Sequence, residues 1–133
     1  IIDRLGIRHK IFFQSDLSRE ELRAVYKNAI LYLTLPQNVK GDIEGFGMAI
    51  MEAAATGTPA IVGQGSGADD ALRDGESGFL VDGLNKEEVV EKILSIVDNK
   101  NLREKLSNGA KKWASENGWE SKIKHYIELY EKI

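Results

Sequence analysis

The chain contains no cysteine, only two prolines and two histidines, and no block of charge of one sign. Without cysteine there are no disulfides, thiolate nucleophiles or cysteine-ligated metals, and the redox compartment is left open. His9 and His125 stand alone, with no adjacent acid and no second histidine at ligand spacing, so neither a histidine metal site nor a histidine-based triad is expected. No apolar run approaches the roughly 18 residues of a membrane-spanning helix. The first residues, Ile1-Ile2-Asp3-Arg4-Leu5-Gly6, carry neither an initiator methionine nor the basic and apolar regions of a signal peptide. They read as the start of a piece cut from a longer polypeptide, with the cytoplasm as the default location.

What is present describes an ordinary soluble domain. A chain of 133 residues can bury one real core but not two. With 42% hydrophobic and 29% charged residues it is neither disordered nor membranous in composition. Its 18 basic residues are interleaved with 21 acidic ones for a net charge of −3, so it lacks the footprint of a nucleic-acid binder. There is no internal repeat and no low-complexity linker.

Short apolar runs alternate with amphipathic stretches, the pattern of parallel strands joined by crossover helices. Four strands are predicted, at residues 11–15, 30–35, 60–62 and 78–81. A first helix opens at Ser18, with Glu21 at capping-box spacing and Leu22, Val25, Tyr26 and Ala29 at helical intervals. A second begins near Phe46 and runs to Thr56, where Gly57 stops it and Pro59 blocks its continuation. A third follows Asn85, with Glu88 repeating the capping spacing and Val89, Val90, Ile93, Ile96 and Val97 as its stripe. Residues 70–73 can supply a turn or two. From Asn101 the chain reads as helix to its end, broken near Asn117-Gly118. Leu102, Leu106, Ala110 and Trp113 share one face of the first piece, and Trp119, Ile123, Tyr126, Ile127 and Tyr130 one face of the second; both stripes are expected in the core.

The stretch richest in chemistry is Glu44-Gly45-Phe46-Gly47-Met48-Ala49-Ile50-Met51-Glu52, two carboxylates with seven residues between them around a glycine-flanked helix start. A helix N-terminus presents unpaired amides and a partial positive charge, so it can hold phosphate without a cationic side chain. Gly45 and Gly47 let an oxygen approach the backbone. Carboxylates repel a diphosphate but accept hydrogen bonds from vicinal hydroxyls on the rings at either side of it. Eight helical residues rise about 12 Å, roughly the distance between those rings in a nucleoside diphosphate sugar. The structural alternative makes Glu44 a favourable charge near a helix start and Glu52 a solvated residue. Against the latter, the neighbours of Glu52 are almost all apolar, and a carboxylate there wants a partner.

Together with other segments this stretch resembles the C-terminal domain of the GT-B retaining glycosyltransferases of family 4, the glycosyl transferases group 1. Ile11-x-Phe13-x-Ser15-x-Leu17 is similar to that family's strand and turn, and residues 31–36 to its next strand. Residues 44–59 match its E-x7-E segment ending in G-T-P. Arg73-Asp74-Gly75-Glu76-Ser77-Gly78-Phe79-Leu80-Val81 resembles its D-G-x-x-G-x-L-V element, and residues 119–130 its closing helix.

The resemblance implies a Rossmann-like α/β domain with a parallel sheet and flanking helices, truncated at its N-terminus. It implies a nucleoside diphosphate sugar as donor, no metal for that donor and transfer with retention of configuration. Glu44 would contact the transferred sugar, as the catalytic position, and the backbone of Gly45, Phe46, Gly47 and Met48 would lie along sugar and diphosphate. Glu52 would bind the ribose hydroxyls, and the Leu17 backbone would sit near the nucleobase. A front-face mechanism, in which the departing diphosphate takes the acceptor proton, leaves Glu44 to position the sugar.

The pattern departs from the family at Ser15, where glycine is usual, at Ile30, where aspartate is common, and at Asp69 and Asp70, in place of Pro-Glu. Residues 37–43 make a longer connection than in the shortest family members. The family domain starts with two further strands and a loop bearing an arginine and a lysine for the diphosphate, which nothing here matches. In the order 3-2-1-4-5-6, strand 11–15 would then stand apart from the other three. The acceptor-binding N-terminal domain would belong to the parent chain, with any peripheral membrane attachment, and the 133-residue piece alone would not catalyse transfer.

Two other classes compete. Gly63-Gln64-Gly65-Ser66-Gly67-Ala68 fits G-x-G-x-x-A, with Asp82 nineteen residues past Gly63, as in an NAD-dependent oxidoreductase. The helix after it is too short for a crossover, since Gly75 and Gly78 follow so soon. The second is a non-catalytic nucleotide-binding module that docks on another chain, with a sugar-nucleotide epimerase as a related enzyme class.

Overall fold

The computed structural model describes residues 1–36 and 45–132. Three parallel strands, β1 (Tyr32–Thr34), β2 (Ala60–Gly63) and β3 (Gly78–Val81), lie side by side in chain order. Helices α1 (Arg19–Asn28), α2 (Met48–Thr56), α3 (Lys86–Asp98), α4 (Lys100–Glu116) and α5 (Trp119–Tyr130) flank and follow them, with short 3₁₀ turns at Arg8–Lys10 and Gly67–Ala71. This is the Rossmann-like α/β arrangement expected from the alternating pattern.

Every residue of the central strand β2 is buried. Its pleat sends Ala60 and Val62 to one face, against Ile50, Ala68, Ala71 and Leu72, and Ile61 to the other, against Val81, Val89, Ile96 and Leu106. A strand covered on both faces has no polar positions, which explains why this run is uniformly apolar. Tyr32 pairs with Ala60 and Ala60 with Gly78, so Gly78 lies beside the ladder where an added Cβ would strike the Ala60 carbonyl oxygen.

The strand expected at residues 11–15 does not form. Those residues lie outside the sheet, and Phe12 and Phe13 are 84% and 69% exposed. A strand needs a neighbour for its amides and carbonyls, and among the described residues no strand lies beside 11–15. The expected 30–35 strand shrinks to three residues for a related reason: Tyr32, Leu33 and Thr34 pair with β2 on one side only, and Ile30 is half exposed.

The C-terminal stripe splits in two. Leu106 and Ala110 of α4 are fully buried and Leu102 packs beside them, as expected. The stripe of α5 is not core: Trp119, Ile123, Tyr126, Ile127 and Tyr130 are between 50% and 79% exposed. Periodicity marks an amphipathic helix but not whether another element covers it.

The Asp-Gly-x-x-Gly turn fastens β3 to α4. The Leu80 amide donates to Asp74 Oδ1 at 2.9 Å, the Arg73 amide to Ser77 Oγ at 2.8 Å, and Gly75 takes a left-handed φ of 71°. The Arg73 guanidinium stacks 4.4 Å over the Trp113 ring, whose Nε1 donates to the Ala71 carbonyl at 3.0 Å. Gly109, in the middle of α4, passes against the Glu76 carbonyl, with no room for a Cβ. Helix propensity alone would favour alanine there by about 1 kcal/mol, but overpacking against backbone costs roughly 1–3 kcal/mol. Gly109→Ala is therefore expected to lower the urea midpoint of unfolding; a raised midpoint would show that α4 does not sit on this turn.

Candidate functional site

Helix α2 carries most of the expected site, and both its ends are set by glycine. Gly47, its N-cap, sits at φ 72°, ψ 53°, a left-handed conformation that other residues rarely take. An added Cβ would also crowd Ile50 Cδ1 and lie 3.4 Å from Ala68 Cβ. Gly57, at φ 85°, closes the helix by donating to the Ala53 and Ala54 carbonyls. The helix thus starts at Met48, two residues later than the sequence suggests, because the backbone leaves the helical region at Gly47. Only four helical residues separate Met48 from Glu52, a rise of about 6 Å, so helical rise alone does not set the spacing of the two carboxylates.

Of the expected site residues, Glu44 lies outside the described residues, as do residues 37–43. Gly45 and Phe46 are exposed ahead of the helix, and an added Cβ on Gly45 would meet open space. Gly47 is buried and Met48 is 57% exposed. The amides of Met48 and Ala49 open α2 ahead of its hydrogen-bond ladder, which begins where the Ile50 amide donates to the Gly47 carbonyl at 2.9 Å. They border a cavity of about 240 Å³ walled by Gly47, Met48, Ala49, Tyr32 and Thr34, at the carboxyl end of β1. Open α/β sheets bind ligands at the carboxyl ends of their strands.

A second cavity, of about 410 Å³, opens between α1 and α2, walled by Arg19, Arg23 and Tyr26 on one side and Glu52, Ala55 and Thr56 on the other. The two cavities are divided by an edge-to-face pair, Tyr26 and Tyr32, with ring centroids 5.9 Å apart. Glu52 is exposed, and its partner is the Tyr26 hydroxyl, which donates to Oε2 at 3.4 Å. Burial first and the Glu52 charge second push the Tyr26 phenol above its ordinary value, so it stays protonated at neutral pH. Arg19 and Arg23 pair with no carboxylate among the described residues.

Leu17 is half-buried immediately before the Ser18 cap, which puts its backbone at the mouth of α1. The capping box is complete. The Ser18 amide and hydroxyl donate to Glu21 Oε2 at 2.8 and 2.7 Å, and the Glu21 amide donates to Ser18 Oγ at 3.3 Å. The Ser18 hydroxyl bond, then the backbone bond, hold the Glu21 carboxyl below its usual value.

Arg19, Arg23 and Tyr26 were not singled out in the sequence as site residues. Their spacing puts them on one face of α1, but only the packing of α1 on α2 shows that this face looks onto Glu52. The dinucleotide fingerprint has a different fate. Gly65 and Ser66 donate their amides to Asp69, at 2.9 and 3.4 Å, and Ser66 Oγ accepts from the Ala68 amide. The protein's own carboxylate occupies the place a pyrophosphate would take, ahead of a 3₁₀ turn of five residues.

A parallel sheet with one cavity at a strand end and another beside a glycine-started helix defines a Rossmann-like α/β domain. The chain belongs to the glycosyl transferases group 1 family, whose model matches residues 1–113. It is 29% identical, over 133 residues, to a D-inositol 3-phosphate glycosyltransferase of Corynebacterium urealyticum, covering 100% of this chain and 30% of that protein. It is 26% identical, over 129 residues, to a GDP-mannose-dependent alpha-(1-6)-phosphatidylinositol monomannoside mannosyltransferase of Mycolicibacterium smegmatis, covering 94% of this chain and 34% of that protein. Among solved structures it matches Anabaena Alr3699/HepE in complex with UDP and glucose, with a TM-score of 0.82 at 20% identity, over 99% of this chain and 35% of that one. The chain thus spans about a third of the length of these proteins, and its fold is that of the matched part of GT-B glycosyltransferases.

The capping box that shapes the mouth of α1 is testable. Ser18→Ala is expected to cost about 1 kcal/mol of stability. Because the folded Glu21 carboxyl titrates below its ordinary 4.5, its contribution is present above that value and lost as pH falls through the lower folded value. Urea unfolding between pH 6 and pH 3 should show a smaller acid loss in Ser18→Ala than in the native chain; equal losses would contradict the assignment.

Proposed function

We propose that this chain is the donor-binding part of a retaining glycosyltransferase, which transfers a sugar from a nucleoside diphosphate sugar to an acceptor hydroxyl. The observation that carries the reading is the position of Glu52, facing a cavity one helical turn from the glycine-capped start of α2. In this reading the diphosphate lies over the first amides of α2, along the backbone of Gly45, Phe46, Gly47 and Met48. An oriented amide array with a partial positive charge suits an anion without a metal. Glu52 accepts hydrogen bonds from the ribose hydroxyls, and the Leu17 backbone borders the nucleobase. Family membership supports the transferase class, and the E-x7-E spacing supports the assignment of the two carboxylates.

Glu44 positions the transferred sugar. As the bond from the anomeric carbon to the leaving phosphate oxygen breaks, the acceptor oxygen bonds that carbon on the same face, and the departing diphosphate takes the acceptor proton. Retention follows from that geometry. The acceptor is held by an N-terminal domain of the parent protein, and the arginine and lysine that neutralise the diphosphate by a loop of the donor-binding domain itself. The chain alone therefore binds donor without turning it over, in the cytoplasm, with any peripheral membrane contact made by the N-terminal domain.

Isothermal titration with UDP, GDP and ADP tests the reading. One of them is expected to bind, and Glu52→Ala should weaken it about tenfold to a hundredfold, since hydrogen bonds to a charged group contribute about 1.5–3 kcal/mol. Unchanged affinity in Glu52→Ala, or no binding of any of the three by the native protein, would refute it.

A further inference from the structure

Glu52 is exposed on α2, and an unheld glutamate has freely rotating side-chain bonds whose ordering on binding costs up to about 2 kcal/mol. The Tyr26 hydroxyl reaches its Oε2 at 3.4 Å from the facing helix. This hydroxyl is itself well placed. The Tyr26 ring is half-buried and meets Tyr32 edge-on, at 71° between planes. Tyr32 is held in the sheet by its amide, which donates to the Pro59 carbonyl at 2.9 Å. The Tyr26 carbonyl accepts from Thr58 Oγ1 at 2.6 Å, tying α1 to the buried turn that ends α2. The Tyr26 ring is thus braced against β1 and its backbone against the turn that ends α2, whereas Glu52 is fixed only through its own backbone.

We infer that Tyr26 is a positioning residue: its hydroxyl holds one oxygen of the Glu52 carboxylate so that the other faces the 410 Å³ cavity ready for a pair of vicinal ligand hydroxyls. The inference rests on the donor-binding reading and extends it to a residue on a different helix. A single bond of 3.4 Å is long, so it supplies direction more than strength. The phenol also keeps its proton while bonded, because burial and the Glu52 charge both oppose its ionisation. A carboxylate biased this way presents its remaining lone pairs to the cavity at a reduced ordering cost.

Tyr26→Phe keeps the ring and its contact with Tyr32 and removes only the hydroxyl. The test compares the best-bound of UDP, GDP and ADP with its 2′,3′-dideoxy counterpart, which lacks the hydroxyls Glu52 would hold. In Tyr26→Phe the ribonucleotide should bind about threefold to tenfold more weakly, with the dideoxynucleotide unchanged. Added to Glu52→Ala, the same substitution should cost nothing more, because the group it orients is gone. If Tyr26→Phe keeps the native ratio of the two affinities, or weakens both ligands equally, the positioning role is overturned while a loss in Glu52→Ala leaves the donor reading standing. If Glu52→Ala itself binds as the native protein does, the reading and the inference fall together.

Discussion

Two left-handed glycines, Gly47 and Gly57, bracket the nine residues of α2, and the rest of the molecule is arranged around the helix they delimit. At Gly47 a side chain would drive into Ile50 and approach Ala68, and at Gly57 the left-handed φ of 85° is what calls for glycine, since the nearest atom is at the flexible end of Lys111. Between them the helix buries Ile50, Ala53 and Ala54, and its end passes through Thr58 and Pro59 directly into the buried strand β2. With both ends and one face committed, α2 leaves Met48, Glu52 and Ala55 exposed on its open face.

From this follows a division of labour among the motifs. Thr58 locks α1 to α2 through the Tyr26 carbonyl, and the Asp-Gly-x-x-Gly turn locks β3 to α4 through Asp74, Ser77 and the Arg73–Trp113 stack. These segments serve the frame. The groups free of that frame gather at the seam between α1 and α2, where two arginines, a tyrosine and a glutamate face one cavity. The glycine-rich turn at residues 63–68 shows how a motif can be satisfied internally, since Asp69 takes the amides an external anion would need.

Much of the frame was legible in the sequence because its determinants are local. The capping box at Ser18, the stop at Gly57, the Asn85 cap and the break at Asn117-Gly118 each depend on residues within four positions. The apolar runs of β2 and β3 were legible because both faces of a central parallel strand are covered. What failed was whatever needed a distant partner. Residues 11–15 have strand composition but no strand to pair with among the described residues, and the α5 stripe has helical period yet stays largely exposed.

The site divides along the same line. Spacing, glycine and helical period are properties of neighbouring residues, so the sequence placed a carboxylate, Glu52, inside a glycine-flanked helix beside a parallel sheet, though it started that helix two residues early. It also singled out Glu52 as a carboxylate needing a partner. Only the tertiary structure decided that the partner is Tyr26, twenty-six residues earlier, and that Arg19 and Arg23 share its cavity. The packing of α1 across α2 brings those groups together, and no local pattern encodes which faces of two separate helices will meet.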